Sequence, residues 1–147
     1  MVYFLDTSAI LNGALNSYPT CYISPITLIE LERIKNAKDK SNEVKYAARK
    51  AVRQIIESLT IQVTHFSQFQ LQHIIKKYNF LMDIDDHYIL SAAELLGKKE
   101  EVLFITSDGA QLLFSQGLPH IMPLFFPEDA PENLEYNGWE KVYPSDN

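Results

Sequence analysis

The chain has 147 residues, 46% hydrophobic and 22% charged, which suits one domain around a single core and is too short for two ordinary ones. No run of about 18 apolar residues is present to span a bilayer, the opening Met-Val-Tyr-Phe-Leu-Asp lacks the basic start of a secretory signal, and the lone Cys21 closes no internal disulfide, so a soluble, cytoplasmic protein is expected. A net charge of −6 argues against a polyanionic partner only if charge is evenly spread, yet eight of the thirteen basic residues lie from Arg33 to Arg53 against Asp39 and Glu43 alone, a local charge of +6.

Short apolar runs alternate with helical patterns along the chain, which predicts an α/β fold on a mostly parallel sheet. Val2 to Leu5 reads as a first strand buried on both faces, because it has no polar alternation. Cys21 to Ile23 is a second, weaker strand, and Ser24-Pro25 turns it into a helix. Ala47, Ala48, Ala51, Val52, Ile55, Ile56 and Leu59 recur at helical spacing, so much of the basic segment is expected on an amphipathic helix. Ile61 to Thr64 is a further strand, and Phe66, Phe69, Ile74 and Ile75 predict a helix to about Tyr78. Another helix is expected from Asp86 to Leu96, ended near Gly97. Val102 to Thr106 is the clearest late strand, followed by a helix through Leu112, Leu113 and Phe114 to a stop at Gly117. A last strand is expected from His120 to Met122. Beyond it, residues 127–147 form an acidic, Pro-rich tail whose Tyr136, Trp139 and Tyr143 predict that it packs on the domain formed by residues 1–126.

Carboxylates punctuate this scaffold at particular places. Asp6 follows the first strand and Asp108 follows Ile105-Thr106-Ser107, so both should lie at the carboxyl ends of parallel strands, where open α/β sheets bind ligands. Glu30 lies on the helix after the second strand, and Asp83, Asp85 and Asp86 crowd the start of a later helix. Each acid also has a plain structural reading. Asp6 and Asp108 can be helix N-caps, Thr27 and Glu30 have capping-box spacing, and Asp83, Asp85 and Asp86 can complement a helix dipole. Several carboxylates gathered on one edge repel one another, however, and a cation relieves that cost. The donors are hard oxygens, which favours Mg²⁺ or Mn²⁺, whereas His65, His73, His87 and His120 have no zinc-like spacing.

Four segments, in order, carry a resemblance. Phe4-Leu5-Asp6-Thr7-Ser8-Ala9-Ile10-Leu11 resembles the opening motif of PIN-domain nucleases. Pro25 to Lys35, around Glu30, is similar to the second motif in the branch otherwise joined to PhoH-type ATPases. Asp86-His87-Tyr88-Ile89-Leu90-Ser91-Ala92-Ala93 and Thr106-Ser107-Asp108 resemble the third and fourth, and the likeness covers about residues 1 to 125. It departs after Asp108, where Gly109-Ala110-Gln111 replaces a more polar or basic continuation. The resemblance implies a three-layer α/β sandwich, its central sheet flanked by helices, here standing alone. It also implies a divalent-metal-dependent ribonuclease acting on single-stranded or loosely structured RNA. Carried over by position, Asp6, Glu30, Asp86 and Asp108 become the catalytic and metal-binding acids. Thr7, Ser8, Asp85 and Thr106 become their supporting neighbours. Arg33, Lys35, Lys45, Arg49, Lys50 and Arg53 are the candidate RNA-binding residues, with Tyr46 or Tyr78 available to stack a base. Candidate partners besides RNA are a protein inhibitor, an ATPase or a second copy of the chain. Two other readings stand beside this one: a catalytically silent PIN-like RNA-binding or scaffold module, and an aspartate-based phosphatase or phosphotransferase. The latter lacks a second Asp two residues after Asp6 and an evident paired Lys.

Overall fold

Strands covered on both faces must be apolar at successive positions, and that pattern builds the centre of this molecule. In the computed structural model, which describes residues 1–127, five strands form one sheet: β1 (Val2–Leu5), β2 (Cys21–Ile23), β3 (Ile61–Val63), β4 (Val102–Thr106) and β5 (Ile121–Phe125). Every pairing is parallel and the order is β3-β2-β1-β4-β5. The expected α/β sandwich is therefore found, with a sheet that is parallel throughout. Residues of the acidic tail beyond Pro127 lie outside the described residues.

Alternate strand residues serve two helical layers, as a side-chain period of two requires. Leu5, Cys21, Ile23 and Ile105 face α1 (Thr7–Leu11), α2 (Ala14–Ser17), α3 (Pro25–Lys35) and α4 (Asn42–Glu57), packing with Ile10, Leu31 and Ala48. Phe4, Val102, Phe104 and Ile121 face the opposite way, against Ile89, Leu90 and Leu96 of α6 (Asp85–Gly97), with Leu71 of α5 (Gln68–Lys77) beside them. Phe4 and Phe104 are fully buried with ring centres 6.0 Å apart, and truncating either to Ala should cost about 3–5 kcal/mol. Cys21 is buried on the opposite face, beside Leu5 and Ile105, and burial pushes its thiol up to about 12, as fits a small apolar residue. No helix among the described residues is long and apolar enough to cross a membrane.

Several local expectations need correction. α1 and α2 are short helices with no counterpart in the periodicity. The helix ending at Glu57 leaves Leu59 wholly exposed, and Phe69, one of the apolar residues that predicted α5, is 81% exposed. α5 itself starts after Ser67, whose hydroxyl accepts from the Gln70 N–H while the Gln70 Oε1 accepts from the Ser67 N–H. β5 runs to Phe125 rather than stopping at Met122, passing through Pro123; an edge strand tolerates the missing N–H. The basic segment is split: Arg33 and Lys35 end α3, Lys38 and Lys40 lie in the connection, and Lys45, Arg49, Lys50 and Arg53 belong to α4.

The strand order places a topological switch at β1 and β4. From β1 the chain proceeds to β2 and β3 on one side, then returns to lay β4 on the other side of β1. Connections leaving these two strands diverge, which opens the carboxyl edge between them. Asp6 and Asp108 follow β1 and β4.

Candidate functional site

Asp6 occupies the N-cap position of α1 yet makes no capping bond; its side chain turns instead into the gap between β1 and β4. Thr106 and Ser8 both donate to Asp6 Oδ2, at 2.7 and 3.0 Å. Each hydroxyl has one proton, so the 3.2 Å approach between Ser8 and Thr106 is a contact of two oxygens already committed to Asp6. Ser8 in turn accepts from the Ser107 N–H at 2.9 Å, and Thr106 accepts from the Asp108 N–H at 3.0 Å. The carboxylate is thereby locked in place. Its other oxygen, Oδ1, is buried and has no hydrogen-bond partner among the described residues. Burial raises the Asp6 carboxyl to about 6; the Thr106 hydroxyl opposes this and the charge of Asp86 adds to it.

Glu30 reaches the same edge from α3. The helix begins with Ser24 as N-cap, its side chain accepting from the Ile26 N–H, and Pro25 in the first turn. Thr27 and Glu30 therefore lie inside the helix, and the capping-box reading of this pair does not hold. Thr7 donates to Glu30 Oε1 at 2.6 Å; with that proton committed, the buried Thr27 hydroxyl 2.9 Å away donates to Thr7. Burial raises the Glu30 carboxyl above its usual range, against the Thr7 bond, and the charges of Asp86, Asp6 and Asp85 raise it further.

The first turn of α6 carries Asp85 and Asp86. Asp86 is half-buried, and burial together with the Asp108 charge raises its carboxyl, partly offset by His87. Asp85 is paired with Arg33 at 3.6 Å, so this candidate RNA-binding arginine already has an acidic neighbour. Lys35 likewise pairs with Glu32 at 3.0 Å, whereas Lys45, Arg49, Lys50 and Arg53 make no ion pair among the described residues. Asp108 caps α7 (Gly109–Ser115), its Oδ1 accepting from the N–H groups of Ala110 and Gln111 at 2.8 and 3.4 Å. That confirms the structural reading of Asp108 and still leaves its second oxygen uncommitted among the described residues.

The charge of Asp86 thus reaches Asp6 and Glu30, and that of Asp108 reaches Asp86, but the acids stand apart. Among the described residues no three carboxylate, imidazole or thiolate groups are drawn closely enough together to hold one ion as they stand. The fit to a hard cation rests instead on the oxygen-only donor set and on Asp6 Oδ1, a buried anionic oxygen that makes no hydrogen bond among the described residues.

One residue of this edge escapes a reading of the sequence. Gln111 is 1% exposed; its Nε2 donates to the Asp86 carbonyl at 3.0 Å, its amide favours the ionised Asp6, and its Oε1 is buried without a partner among the described residues. Asp108-Gly109-Ala110-Gln111 has capping-box spacing, which would turn Gln111 back toward the helix start; the side chain points inward instead. His87 has a structural task, accepting from the Leu81 N–H at 2.8 Å between the rings of Phe80 and Phe114. Of the two candidate stacking residues, Tyr46 is exposed on α4 and Tyr78 packs against the α6 core.

Comparison with known proteins bears on this arrangement. The PIN domain profile matches residues 3–116. Among solved structures, a domain of a functionally unknown protein from Methanocaldococcus jannaschii is 20% identical with a TM-score of 0.58, covering 92% of this chain and 97% of that one. VapBC-5 of Mycobacterium tuberculosis, a member of the VapBC family of toxin-antitoxin systems, is 15% identical with a TM-score of 0.57, over 85% and 98%. VapBC2 of Rickettsia felis, bound to a DNA fragment from its promoter, is 16% identical with a TM-score of 0.54, over the same shares of 85% and 98%. At these identities the likeness is one of fold. No curated protein matches the chain in sequence.

Proposed function

The chain belongs to the PIN-domain family, and from that premise we propose that it is a divalent-metal-dependent ribonuclease that hydrolyses phosphodiester bonds in single-stranded or loosely structured RNA. The observation that carries the reading is Asp6 Oδ1: an anionic oxygen buried at the switch point, without a hydrogen bond among the described residues, on a carboxyl that two hydroxyls hold by its other oxygen. A fold seldom retains such a group unless something else binds it.

Asp6, Glu30, Asp86 and Asp108 would hold Mg²⁺ or Mn²⁺. Bound there, the ion supplies the positive charge that acidifies a water and offsets the negative charge gathering on the phosphate. Thr106 and Ser8 fix the direction of the Asp6 carboxylate, and Thr7 does the same for Glu30, so their orientation is set before substrate arrives. Glu30, with its raised carboxyl and one oxygen tied to Thr7, is suited to orient the attacking water and take up its proton. Lys45, Arg49, Lys50 and Arg53, which pair with no acid among the described residues, offer the positive charge that phosphates need, Arg33 and Lys35 less because each already faces an acid. The protein would act in the cytoplasm, and a protein inhibitor is the partner we propose, since fold relatives include toxin-antitoxin systems.

Labelled RNA and DNA oligonucleotides incubated with Mg²⁺, Mn²⁺ or EDTA, with wild type beside Asp6→Asn, test the reading. Metal-dependent cutting of RNA, lost in Asp6→Asn, is expected. Equal cutting by Asp6→Asn in EDTA overturns it, and RNA binding without cutting in any metal identifies a silent RNA-binding module.

A further inference from the structure

Beside the acidic edge, at the carboxyl ends of β2 and β3, the chain encloses a cavity of about 360 Å³ between the start of α3, the approach to α5 and the first turns of α6. Its volume is at the small end of ligand sites, suited to one base with its ribose. Phe66 and Tyr88 supply aromatic surface, and the polar lining includes Gln68 and Asp85. Ser24 and Thr64, also in the wall, are engaged with the Ile26 N–H and the Ile23 carbonyl, so Gln68 and the Asp85 oxygen that does not face Arg33 are the groups best placed to read an occupant.

Position and charge together select that occupant. Asp85 lines the cavity while its neighbour Asp86 belongs to the acidic site, so the two places share one helical turn. Arg33, 3.6 Å from Asp85, stands where they meet. A carboxylate in the wall disfavours a phosphate inside but accepts a hydrogen bond from an uncharged ring bearing an amino group. Aromatic side chains stack on any base, which gives such a ring its affinity.

We propose that this cavity is a nucleobase subsite: it takes up an amino-bearing base of the RNA strand next to the phosphate at the acids, the ring stacked on Tyr88, with Phe66, whose ring already faces Lys99, beside it in the wall, and the amino group turned to Asp85. This rests on the ribonuclease reading for the nature of the strand. Uracil, which would present a carbonyl to Asp85, fits less well than cytosine.

Two measurements on the full chain test it. Cytidine and uridine, which carry no phosphate to interact with the acidic site, are titrated into the protein and followed by NMR. Cytidine is expected to perturb the resonances of Phe66 and Tyr88 and to bind more tightly than uridine. Tyr88→Ala should weaken it about ten-fold or more, and Tyr88→Phe should retain it. In cleavage assays, an abasic ribose placed at successive positions of an RNA oligonucleotide should lower kcat/KM about ten-fold at one position, where Tyr88→Ala then adds no further loss. Cytidine that makes no contact with the cavity, or binding that Tyr88→Ala leaves unchanged, overturns the subsite whether or not RNA is cut. Cutting indifferent to the abasic position overturns it as well, as does a cavity closed to cytidine but covered in a complex with a protein inhibitor. A chain that binds cytidine at Tyr88 yet cuts no RNA overturns the ribonuclease reading and leaves the base subsite standing.

Discussion

Thr106 donates its hydroxyl to Asp6 Oδ2 at 2.7 Å across 100 positions of sequence, joining the carboxyl ends of β1 and β4 at the point where the sheet changes direction. The bond sets the aim of the carboxylate and favours its ionised form. Thr106→Val keeps the shape and removes both the donor to Asp6 and the acceptor for the Asp108 N–H. It should destabilise the protein by about 1–3 kcal/mol and move the Asp6 carboxyl further above about 6. Thr106→Ser should restore both. Carboxyl ¹³C titration by NMR and denaturation midpoints read the two effects, and an Asp6 carboxyl unmoved in Thr106→Val would show that the hydroxyl has no hold on it.

The pH dependence of stability follows from the same group. The Asp6 carboxyl is at about 6 in the folded chain against 3.8 without the fold, so between these values the unfolded chain has lost a proton that the folded chain keeps. Folding is then opposed by ionisation: the contribution of Asp6 is most favourable below about pH 4, declines as pH rises to about 6, and is constant above, a loss of about 3 kcal/mol. Glu30 and Asp86 are raised too and act in the same direction. Asp6→Asn, whose carbonyl can still accept from Thr106 and Ser8, should therefore melt higher than wild type at pH 7 without metal. Millimolar Mn²⁺ should reverse that ranking by stabilising wild type alone. Melting temperatures from pH 4 to 8, with and without metal, check it; a metal-free Asp6→Asn protein less stable than wild type at pH 7 contradicts the argument.

The parts of this molecule that were legible in sequence are those whose neighbours are nearby or of one kind. Val2–Leu5 and Val102–Thr106 sit between two helical layers and so read as unbroken apolar runs; an acid one or two residues past each was enough to place Asp6 and Asp108 on one edge. What stayed hidden depends on contacts distant in the chain. The grip of Thr7 on Glu30 spans 23 positions and requires α3 to cross α1, which no local spacing encodes. Thr27 and Glu30 mimic a helix start only because Ser24, the real cap, stands three residues earlier. Gln111 turns inward because Asp86 and Asp6 lie there, brought by two other elements. α1, five residues long, is too short to show a period.

Gly97 gives a stability prediction at the far edge of the sheet. A Cβ there would stand 2.0 Å from the His120 carbonyl oxygen, a backbone atom. His120 cannot easily yield, because fully buried Glu94 accepts from its N–H at 3.0 Å and meets its Nδ1 at 2.6 Å. Gly97→Ala should cost roughly 3 kcal/mol and lower Tm by roughly 10 °C. Metal affinity measured well below Tm should be unchanged, since Gly97 ends α6 and the acids lie at its start. A Tm within a degree or two of wild type would mean that the two segments are not held together as described.

The basic face of α4 should act in a graded way. Lys45, Arg49 and Arg53 follow one another at intervals of four and so line one side of the helix. α4 ends just before β3 begins, at the amino edge of the sheet, so its first turns approach the carboxyl edge where the acids lie. Over its 16 residues the helix is about 24 Å long, which sets Lys45 nearest the site and Arg53 farthest. If this side holds RNA phosphates, Lys45→Gln and Arg49→Gln should weaken the binding of short oligonucleotides more than Arg53→Gln. Longer strands should feel all three. Removing one phosphate-binding side chain should lower the slope of log affinity against log salt by about 0.7, uniformly across RNA sequences. Turnover at saturating RNA should change little, because these side chains would bind ground and transition states alike. Fluorescence anisotropy on oligonucleotides of increasing length, at several salt concentrations, reads all of this. Folded variants whose affinity and salt slope match wild type would make the stripe a solvated helix face and place the strand on another surface.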